Sequence, residues 1–495
     1  MSGNNIRPIS TIKDENGQEL SNPDEQIDRW RRFFSTENPT DNETQPNTST
    51  STLRRNPRRD VNTDPPTYEE VLRALKSLKN GKAAGPDNIP SELLKGFNNP
   101  NDPLSTNLIR LDYKWWHPLR QKLSPVFSPA KMRAIFPTLY KMCELLTSKL
   151  EIAAKEAKHN HISIHDLCAR YTTDVIGNVA FGIAFNSLEH PNSQVRQQAL
   201  KLFDYSWHPI LDSLMGHYSW LGNFFNIKIF KPDLSNFFVK LVSDIIDYRE
   251  KSGKRQSDLM DTLIGLMKRD QESSSEFVLS LELMIGQVFG FFGAGFETSS
   301  NTLEFVLYEL AKHPEVQEIA RKNVLEVLQS HGDEFSFDNL KEMEYLQQVL
   351  QETMRLHPPA PYTVRVCRQT CVLKTKEHSL TIPIGTKVMI PIYGIHRNPD
   401  YYTQPERFIP ERFATSSNED ILAKQLPTFM PFGAGPRICI GERFAKMVLI
   451  LSLAMLLTRF RFSYCPETPM KLQFDPKKML VLSSKSIIKL KVETL

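Results

Sequence analysis

The chain has 495 residues, 40% of them hydrophobic, and its 61 basic residues against 57 acidic ones leave a formal net charge of only +4. So small a charge gives no reason to expect nucleic acid or an acidic membrane as a partner, and the length allows two or three domain-sized units or one large domain with an appendage. The six cysteines lack the pairing of a zinc motif and no signal peptide precedes them, so neither a disulfide framework nor an oxidising compartment is expected.

Residues 1–100 differ in composition from the rest of the chain. They are polar and rich in Asn, Thr, Pro and Asp, which predicts a largely disordered segment with a short helix at 68–79. Within it, the sequence KNGKAAGPDNIPSELLKG at 79–96 resembles the opening of the reverse-transcriptase domain of non-LTR retrotransposons. The aspartate motifs that hold magnesium in that family lie beyond the end of the match. No polymerase activity is therefore expected, and nucleic acid is not expected as a partner.

A long helix is predicted from Leu281 to Lys312, with Ser280 as its N-cap. Small residues at 293–295 interrupt its apolar sequence just before Glu297 and Thr298. Because a mid-helix glycine costs roughly 1 kcal/mol relative to alanine, the interruption needs a reason. Two explanations stand at this point: a site that needs space beside the helix, or a packing glycine pair followed by a threonine that bonds its own backbone.

Two further signals lie downstream of this helix. Glu352 and Arg355 are three residues apart on a predicted helix that ends before Pro358, so they share one face and can pair. Short strand pairs are predicted between 361 and 389 and again near the C-terminus. The longest apolar runs, at 284–296 and 447–457, are too short to span a bilayer and are predicted to be buried helices.

The most informative stretch is FGAGPRICIG at 432–441, which delivers Cys439 just before an apolar helical sequence that begins near Phe444. A thiolate at a helix start is stabilised by the helix dipole and by free N–H groups, which are expected to lower the pKa of Cys439 and prepare its sulfur as a metal ligand. Taken alone, a cysteine in a glycine-rich turn is more often a small buried hydrophobic residue. Together with the motifs above, the loop resembles the haem-binding signature of the cytochrome P450 family.

This resemblance is continuous over 102–495 and implies a mainly α fold with a small β portion, a haem-thiolate domain that lacks its N-terminal elements. It implies haem b as cofactor, with the Cys439 thiolate on the iron. The resemblance assigns roles to further residues: to cofactor binding Trp116, Arg120, Arg365, Phe432 and Arg437; to catalysis Thr298 and Glu297; and to a buried structural network Glu352, Arg355 and Arg412. By the same resemblance, glycines of the long helix leave room for dioxygen, and Phe289, Phe292 and Ala294 line the substrate pocket with Thr298.

The implied reaction inserts one oxygen atom from O2 into a lipophilic small molecule. The motif sequences of the chain most resemble those of the insect branch of the family that handles xenobiotics. The sequence has no dinucleotide fingerprint, so electrons are expected from an NADPH–cytochrome P450 reductase. Five basic residues are candidates for the face that meets it: Lys122, Lys131, Arg133, Arg443 and Lys446. The resemblance places the protein at the endoplasmic reticulum membrane, with a peripheral or cytoplasmic location as the alternative because no anchor precedes the match. The alternative function is a non-catalytic remnant, truncated or fused.

Overall fold

The computed structural model describes residues 103–111, 113–157, 161–201, 230–253, 256, 258–271, 278–374, 379–414, 428–476, 478 and 480–495. The predicted segment 1–100, with its helix at 68–79, lies outside these ranges. The α-helices of the described part are α1 (Tyr113–Leu123), α2 (Pro129–Glu156), α3 (Ile164–Ile176), α4 (Gln194–Lys201), α5 (Pro232–Ser252), α6 (Leu259–Gln271), α7 (Leu281–Lys312), α8 (Pro314–Ser330), α9 (Glu344–Leu356), α10 (Ile392–Ile395) and α11 (Glu442–Arg459).

Short strands form small antiparallel sheets beside these helices. The strands are β1 (His161–Ser163), β2 (Thr363–Val366), β3 (Cys371–Lys374), β4 (Ser379–Ile382), β5 (Lys387–Ile390), β6 (Phe460–Ser463) and β7 (Lys489–Thr494). Short strand pairs lie in the predicted region, where β2 pairs with β5 and β3 with β4, and near the C-terminus β7 pairs with both β6 and β1. The sequence did not reveal β1, because three residues are too few to show an alternating pattern. The fold is mainly α with a small β portion, which confirms the predicted class.

Helix α7 runs through the centre of this fold. Its predicted bounds and cap are confirmed, since the Ser280 hydroxyl accepts the Leu283 N–H at 3.2 Å. From Ser299 to Ala311 every residue is buried, and α3, α5, α9 and α11 all contact the helix. The stretch is not apolar all round, because Asn301, Glu304 and Glu309 are buried in it and hydrogen-bond to other parts of the fold. Within the described ranges, no helix combines the length and the apolar character that a membrane crossing requires.

The N-terminal half of α7 is in close contact with the short 3₁₀ helix Pro103–Thr106. A Cβ at Gly286 would lie 2.7 Å from the Pro103 carbonyl oxygen and 3.0 Å from the Thr106 carbonyl carbon. Next to it, the Gln287 amide accepts the Leu108 N–H and donates to the Thr106 carbonyl, both at 2.8 Å. The glycine therefore permits a close approach that the glutamine then fixes.

We expect Gly286→Ala to destabilise the protein in spite of the better helix propensity of alanine. The new Cβ meets backbone atoms that cannot rotate away, and overpacking of this kind costs about 1–3 kcal/mol against a gain of roughly 1 kcal/mol from propensity. Gly265 in α6 is the matched control, because a Cβ there has nothing within 4 Å. Denaturant unfolding should show Gly265→Ala unchanged or stabilised; equal behaviour of the two variants would contradict the close approach.

Candidate functional site

The loop that precedes α11 is shaped by two glycines and by its own backbone. Gly433 and Gly435 have φ values of 76° and 74°, a left-handed conformation that other residues adopt only with strain. The Cys439 N–H donates to the Phe432 carbonyl at 2.9 Å and so closes the loop. The sulfur is thereby delivered just before α11 begins at Glu442.

The surroundings of Cys439 correct one expectation from the sequence. Its side chain is exposed, yet burial raises the pKa of its thiol; the Glu442 charge acts in the same direction, and the Gly441 N–H and Arg120 only partly oppose it. The thiol is therefore accessible to solvent on one side, although many protein atoms surround it. The predicted fall in pKa is wrong for the metal-free protein, because desolvation outweighs the helix start. A coordinated metal ion would itself deprotonate the thiol.

Helix α1 places two of the predicted cofactor residues beside this loop. The buried Trp116 ring stacks under the Arg437 guanidinium, whose central carbon lies 4.1 Å from the ring centroid. Arg437 also donates to the carbonyls of Leu108 at 3.3 Å and Leu111 at 3.0 Å. One turn after Trp116, Arg120 lies close enough to Cys439 to interact with it electrostatically, and burial lowers the pKa of this arginine. The loop therefore has cations on the side that faces α1.

Arg365 on β2 also contacts the cysteine loop, from an element far from α1 in sequence. Its guanidinium donates to the Ala434 carbonyl at 3.1 Å and to the Thr363 hydroxyl at 2.8 Å. Burial lowers the pKa of Arg365. Phe432 is half-buried in the loop itself, with the Lys446 ammonium 5.5 Å from its ring centroid. The structure thus brings all six predicted cofactor residues together around one loop.

This set of donors fits haem b. The group needs one axial ligand for iron, and Cys439 offers a sulfur. Its two propionates need cations or N–H donors, and Arg120, Arg365 and Arg437 supply guanidinium groups with the Trp116 indole beside them. The donors come from α1, β2 and the cysteine loop, so the fit depends on the whole fold rather than on one short motif.

The predicted catalytic residues, Glu297 and Thr298, lie near the middle of α7, directly before the stretch in which every residue is buried. Ala294 is exposed although Gly293 and Phe296 beside it are buried, and Thr298 is half-buried. The Thr298 hydroxyl donates to the Ala294 carbonyl at 2.5 Å, the backbone bond that the alternative explanation named. Both residues face one side of the helix, one turn apart.

Glu297 points to a different set of partners. Its buried carboxylate accepts a hydrogen bond from the Lys478 ammonium at 2.8 Å and one from the Ser483 hydroxyl at 3.2 Å. Asn301, one turn later, donates to the Leu482 carbonyl at 3.0 Å and to the Ser483 hydroxyl at 2.7 Å. The sequence analysis missed these partners of Glu297, since Lys478 lies 181 residues away and no local pattern marks it.

Two expectations about α7 are wrong in part, for Gly295 and for two aromatic rings. Gly295 does not leave space for dioxygen, because a Cβ there would lie 2.7 Å from Cδ1 of Ile176 in α3. Phe289 and Phe292 do not line a pocket either, since they are only 4% and 1% exposed. Their rings pack against Phe238 with centroids 5.1 and 5.4 Å away. The small residue and both aromatic rings serve helix packing, which has the same composition as a pocket lining.

A buried charge network lies at the end of α9. Glu352 accepts two bonds from Arg355, at 2.8 and 2.9 Å, and one from Arg412 at 3.1 Å. Glu352 and Arg355 are both fully buried. Arg355 also donates to the carbonyls of His396 at 2.8 Å and Arg407 at 3.1 Å. The carboxylate is therefore shared by two arginines that hold the segment before the cysteine loop.

Comparison with known proteins agrees with this geometry. A family model described as "Cytochrome P450" matches residues 85–491. Probable cytochrome P450 6a23 of Drosophila melanogaster is 38% identical over 400 residues, which cover 81% of this chain and 78% of that protein. Cytochromes P450 6a8 and 6a2 of the same organism are 38% and 36% identical over 404 and 402 residues, or 80% of this chain and 78% of each relative. On these matches and on the residues around Cys439, the chain belongs to the cytochrome P450 family of haem-thiolate monooxygenases.

Proposed function

We propose that this monooxygenase holds its haem iron through Cys439 and the haem propionates through Arg120, Arg365 and Arg437, with Trp116 stacked on Arg437. The observation that carries the proposal is the convergence of these side chains on one loop from α1, β2 and the loop itself. When bound, haem supplies the oxygen-activating chemistry of the family. The chain would hold the group in place through these side chains.

We propose that Thr298 and Glu297 manage the proton needed at the distal side of the site. Thr298 lies beside the exposed Ala294, and its hydroxyl can turn from the Ala294 carbonyl toward a bound ligand at little cost, because the carbonyl keeps its helix bond. Glu297 is one residue away, and its carboxylate holds the Lys478 ammonium. The carboxylate would exchange protons through water that reaches the Thr298 hydroxyl.

Replacing Thr298 by alanine tests this proposal. We expect haem content to stay unchanged and the ratio of product to consumed O2 to fall several-fold, because proton delivery loses its final hydroxyl. The matched control is Thr302→Ala, one turn along α7. The Thr302 hydroxyl makes the same kind of backbone bond, to the Thr298 carbonyl at 2.7 Å, but the residue is buried. Coupling that is equal in both variants would remove Thr298 from the reaction.

We also propose that the electron donor is an acidic flavoprotein, an NADPH–cytochrome P450 reductase, that meets the face of α11. The exposed Arg443 on α11 supports this proposal. The case for a wider basic docking face is weaker, because three of its candidates are paired with carboxylates of the chain itself. Lys122 binds Asp270, Arg133 binds Asp338 and Lys446 binds Glu442. Lys131 is half-buried and has an interaction of its own. The positive charge that these residues can offer to a reductase is therefore smaller than the sequence indicates.

Charge reversal at Arg443 tests the docking face. We expect Arg443→Glu to slow reduction of the haem several-fold at low ionic strength, with the difference from the parent protein shrinking as salt screens it. Lys251→Glu is the control, because Lys251 is also exposed but lies in the last turn of α5. The rate is measured by stopped-flow with purified reductase. Equal slowing in both variants, or none that depends on salt, would contradict the assignment.

Four finer assignments complete the proposal. The relatives in Drosophila support a lipophilic substrate of the kind that the insect xenobiotic branch oxidises, and they support a location at the endoplasmic reticulum membrane. Glu352, Arg355 and Arg412 are assigned a structural rather than a catalytic role, because the network is enclosed and holds backbone carbonyls. For residues 1–100 a retroelement origin is supported by the resemblance at 79–96, and the family match begins inside that segment, at residue 85.

A further inference from the structure

A cluster of metal-binding side chains lies at the edge of the three-stranded sheet. The Nδ1 atom of His161 is 3.0 Å from a carboxylate oxygen of Glu467, and the Cys465 sulfur lies beside the same carboxylate. The imidazole nitrogen, the sulfur and the carboxylate oxygen all lie within 4.8 Å of one another. Three different donor types thus meet in a space the size of one coordination shell.

The sheet register explains why residues so distant in sequence meet here. β7 is the middle strand, so His161 on β1 and Ser463 on β6 both lie opposite Lys491. Cys465 follows Ser463 by two residues and Glu467 follows in the next turn. The sequence analysis found no zinc motif, because this arrangement uses no short spacing that a motif search would recognise.

The surroundings of Cys465 fix the sulfur in place. The residue is only 8% exposed. Its N–H donates to the Thr468 hydroxyl at 2.9 Å, and that hydroxyl donates to the Lys489 carbonyl at 2.6 Å and lies 3.3 Å from the sulfur. His161 is partly buried and Glu467 partly exposed. The sulfur is therefore preoriented by a second set of bonds, while the carboxylate side is open for entry of an ion.

We propose that His161, Cys465 and Glu467 form a zinc site, with solvent as the fourth ligand. Sulfur, imidazole and carboxylate are the donors that Zn²⁺ takes in tetrahedral sites, whereas Mg²⁺ and Ca²⁺ prefer oxygen alone. Tetrahedral bonds of about 2.0–2.3 Å separate ligand atoms by about 3.5 Å, so small rotations of the side chains suffice. On binding, Zn²⁺ takes the place of the Cys465 thiol proton, and this one proton is released to solvent.

The charge near the site agrees with a dication. Zn²⁺ would meet one thiolate and one carboxylate, which gives a neutral centre. Lys491 lies opposite His161, but its ammonium is held by Glu493 on the same strand. The site would join β1, between α2 and α3, to the turn that follows β6. It lies outside the residues assigned to haem, so its occupancy is independent of the monooxygenase reaction.

The test is zinc stoichiometry of the haem-loaded protein. The protein is dialysed against a chelator, equilibrated with zinc in a buffer that fixes free zinc at low micromolar concentration, desalted and analysed for zinc and haem together. We expect one zinc per chain in the parent protein and X-ray absorption with a sulfur neighbour at about 2.3 Å. Cys465→Ser should lose the zinc and the sulfur neighbour, and Glu467→Gln should weaken binding by about 10-fold or more.

One control variant and one independent test variant make the zinc result interpretable. Cys371→Ser removes a different half-buried thiol and should keep the zinc. Glu467→Gln changes a partly exposed side chain, so it tests the site even if Cys465→Ser fails to fold, and haem content reports folding in every variant. Absence of zinc from the parent protein, or equal zinc in the parent, Cys465→Ser and Glu467→Gln, would overturn the proposal.

Discussion

Replacing Cys439 by serine is expected to abolish the Soret band typical of thiolate-ligated haem when the reduced protein binds carbon monoxide. Monooxygenase activity should fall by more than about 100-fold, because loss of an outer partner of a metal ligand alone costs about 10–100-fold and here the ligand itself is removed. The serine side chain fits the same loop, since the glycine conformations and the bond from the residue 439 N–H to the Phe432 carbonyl do not involve the sulfur. The measurement is the carbon monoxide difference spectrum, with total haem measured separately.

The control for this result is Cys371→Ser, a free cysteine that is half-buried on β3 and should keep the parent spectrum. A thiolate band that survives in Cys439→Ser would contradict the assignment of the ligand. If the parent protein itself binds no haem, the chain is the non-catalytic remnant that the sequence analysis left open as an alternative. The spectrum therefore separates a wrong ligand from an inactive chain.

The second large effect is expected at Glu352. Glu352→Gln keeps the size of the side chain but removes the charge that two buried arginines share. Breaking a buried ion pair leaves an uncompensated charge and costs roughly 3–5 kcal/mol of the free energy of unfolding. The two arginines also hold the carbonyls of His396 and Thr403, so their displacement should loosen the segment before the cysteine loop. Denaturant unfolding and haem retention measure the two consequences.

Asp338→Asn is a matched control for Glu352→Gln. Asp338 is likewise a carboxylate shared by two cations, Arg133 at 2.8 Å and Lys341 at 3.1 Å, but all three side chains are exposed. Exposed pairs contribute little because water screens and solvates the charges that remain. Unfolding curves that shift equally for the two variants would show that burial of the Glu352 network has no special energetic weight.

Local signals account for what the sequence predicted well. The start of α7 follows from the Ser280 cap, and its end follows from the sequence near Lys312. Each of these signals lies within about one turn of the helix end that it marks. The pairing of Glu352 with Arg355 follows from their spacing on one helix. The glycine-rich cysteine loop is likewise a local feature, because each positive φ belongs to a glycine in the motif itself.

The errors and omissions involve contacts that sequence spacing does not encode. The pKa of Cys439 depends on how completely the fold encloses the sulfur, and its burial reverses the direction expected from the helix start. Phe289 packs in the core because Phe230 and Phe238 arrive from other elements, at centroid distances of 4.7 and 5.1 Å. A composition that suits a pocket therefore cannot be distinguished from a core before the partners are known.

The bonds from Arg437 to Leu108 and Leu111 have a consequence for how the chain acquires its structure during synthesis. The partners are separated by 329 and 326 residues, and β7, near the C-terminus, pairs with β1. At roughly 5–20 residues per second, the ribosome needs about 16–65 s to pass from Leu111 to Arg437. During that time α1 and the segment before it wait without the partners that cover them. Capture of the cofactor is therefore expected late in synthesis, after the cysteine loop has left the ribosome, and the nascent chain is most vulnerable to aggregation before that moment.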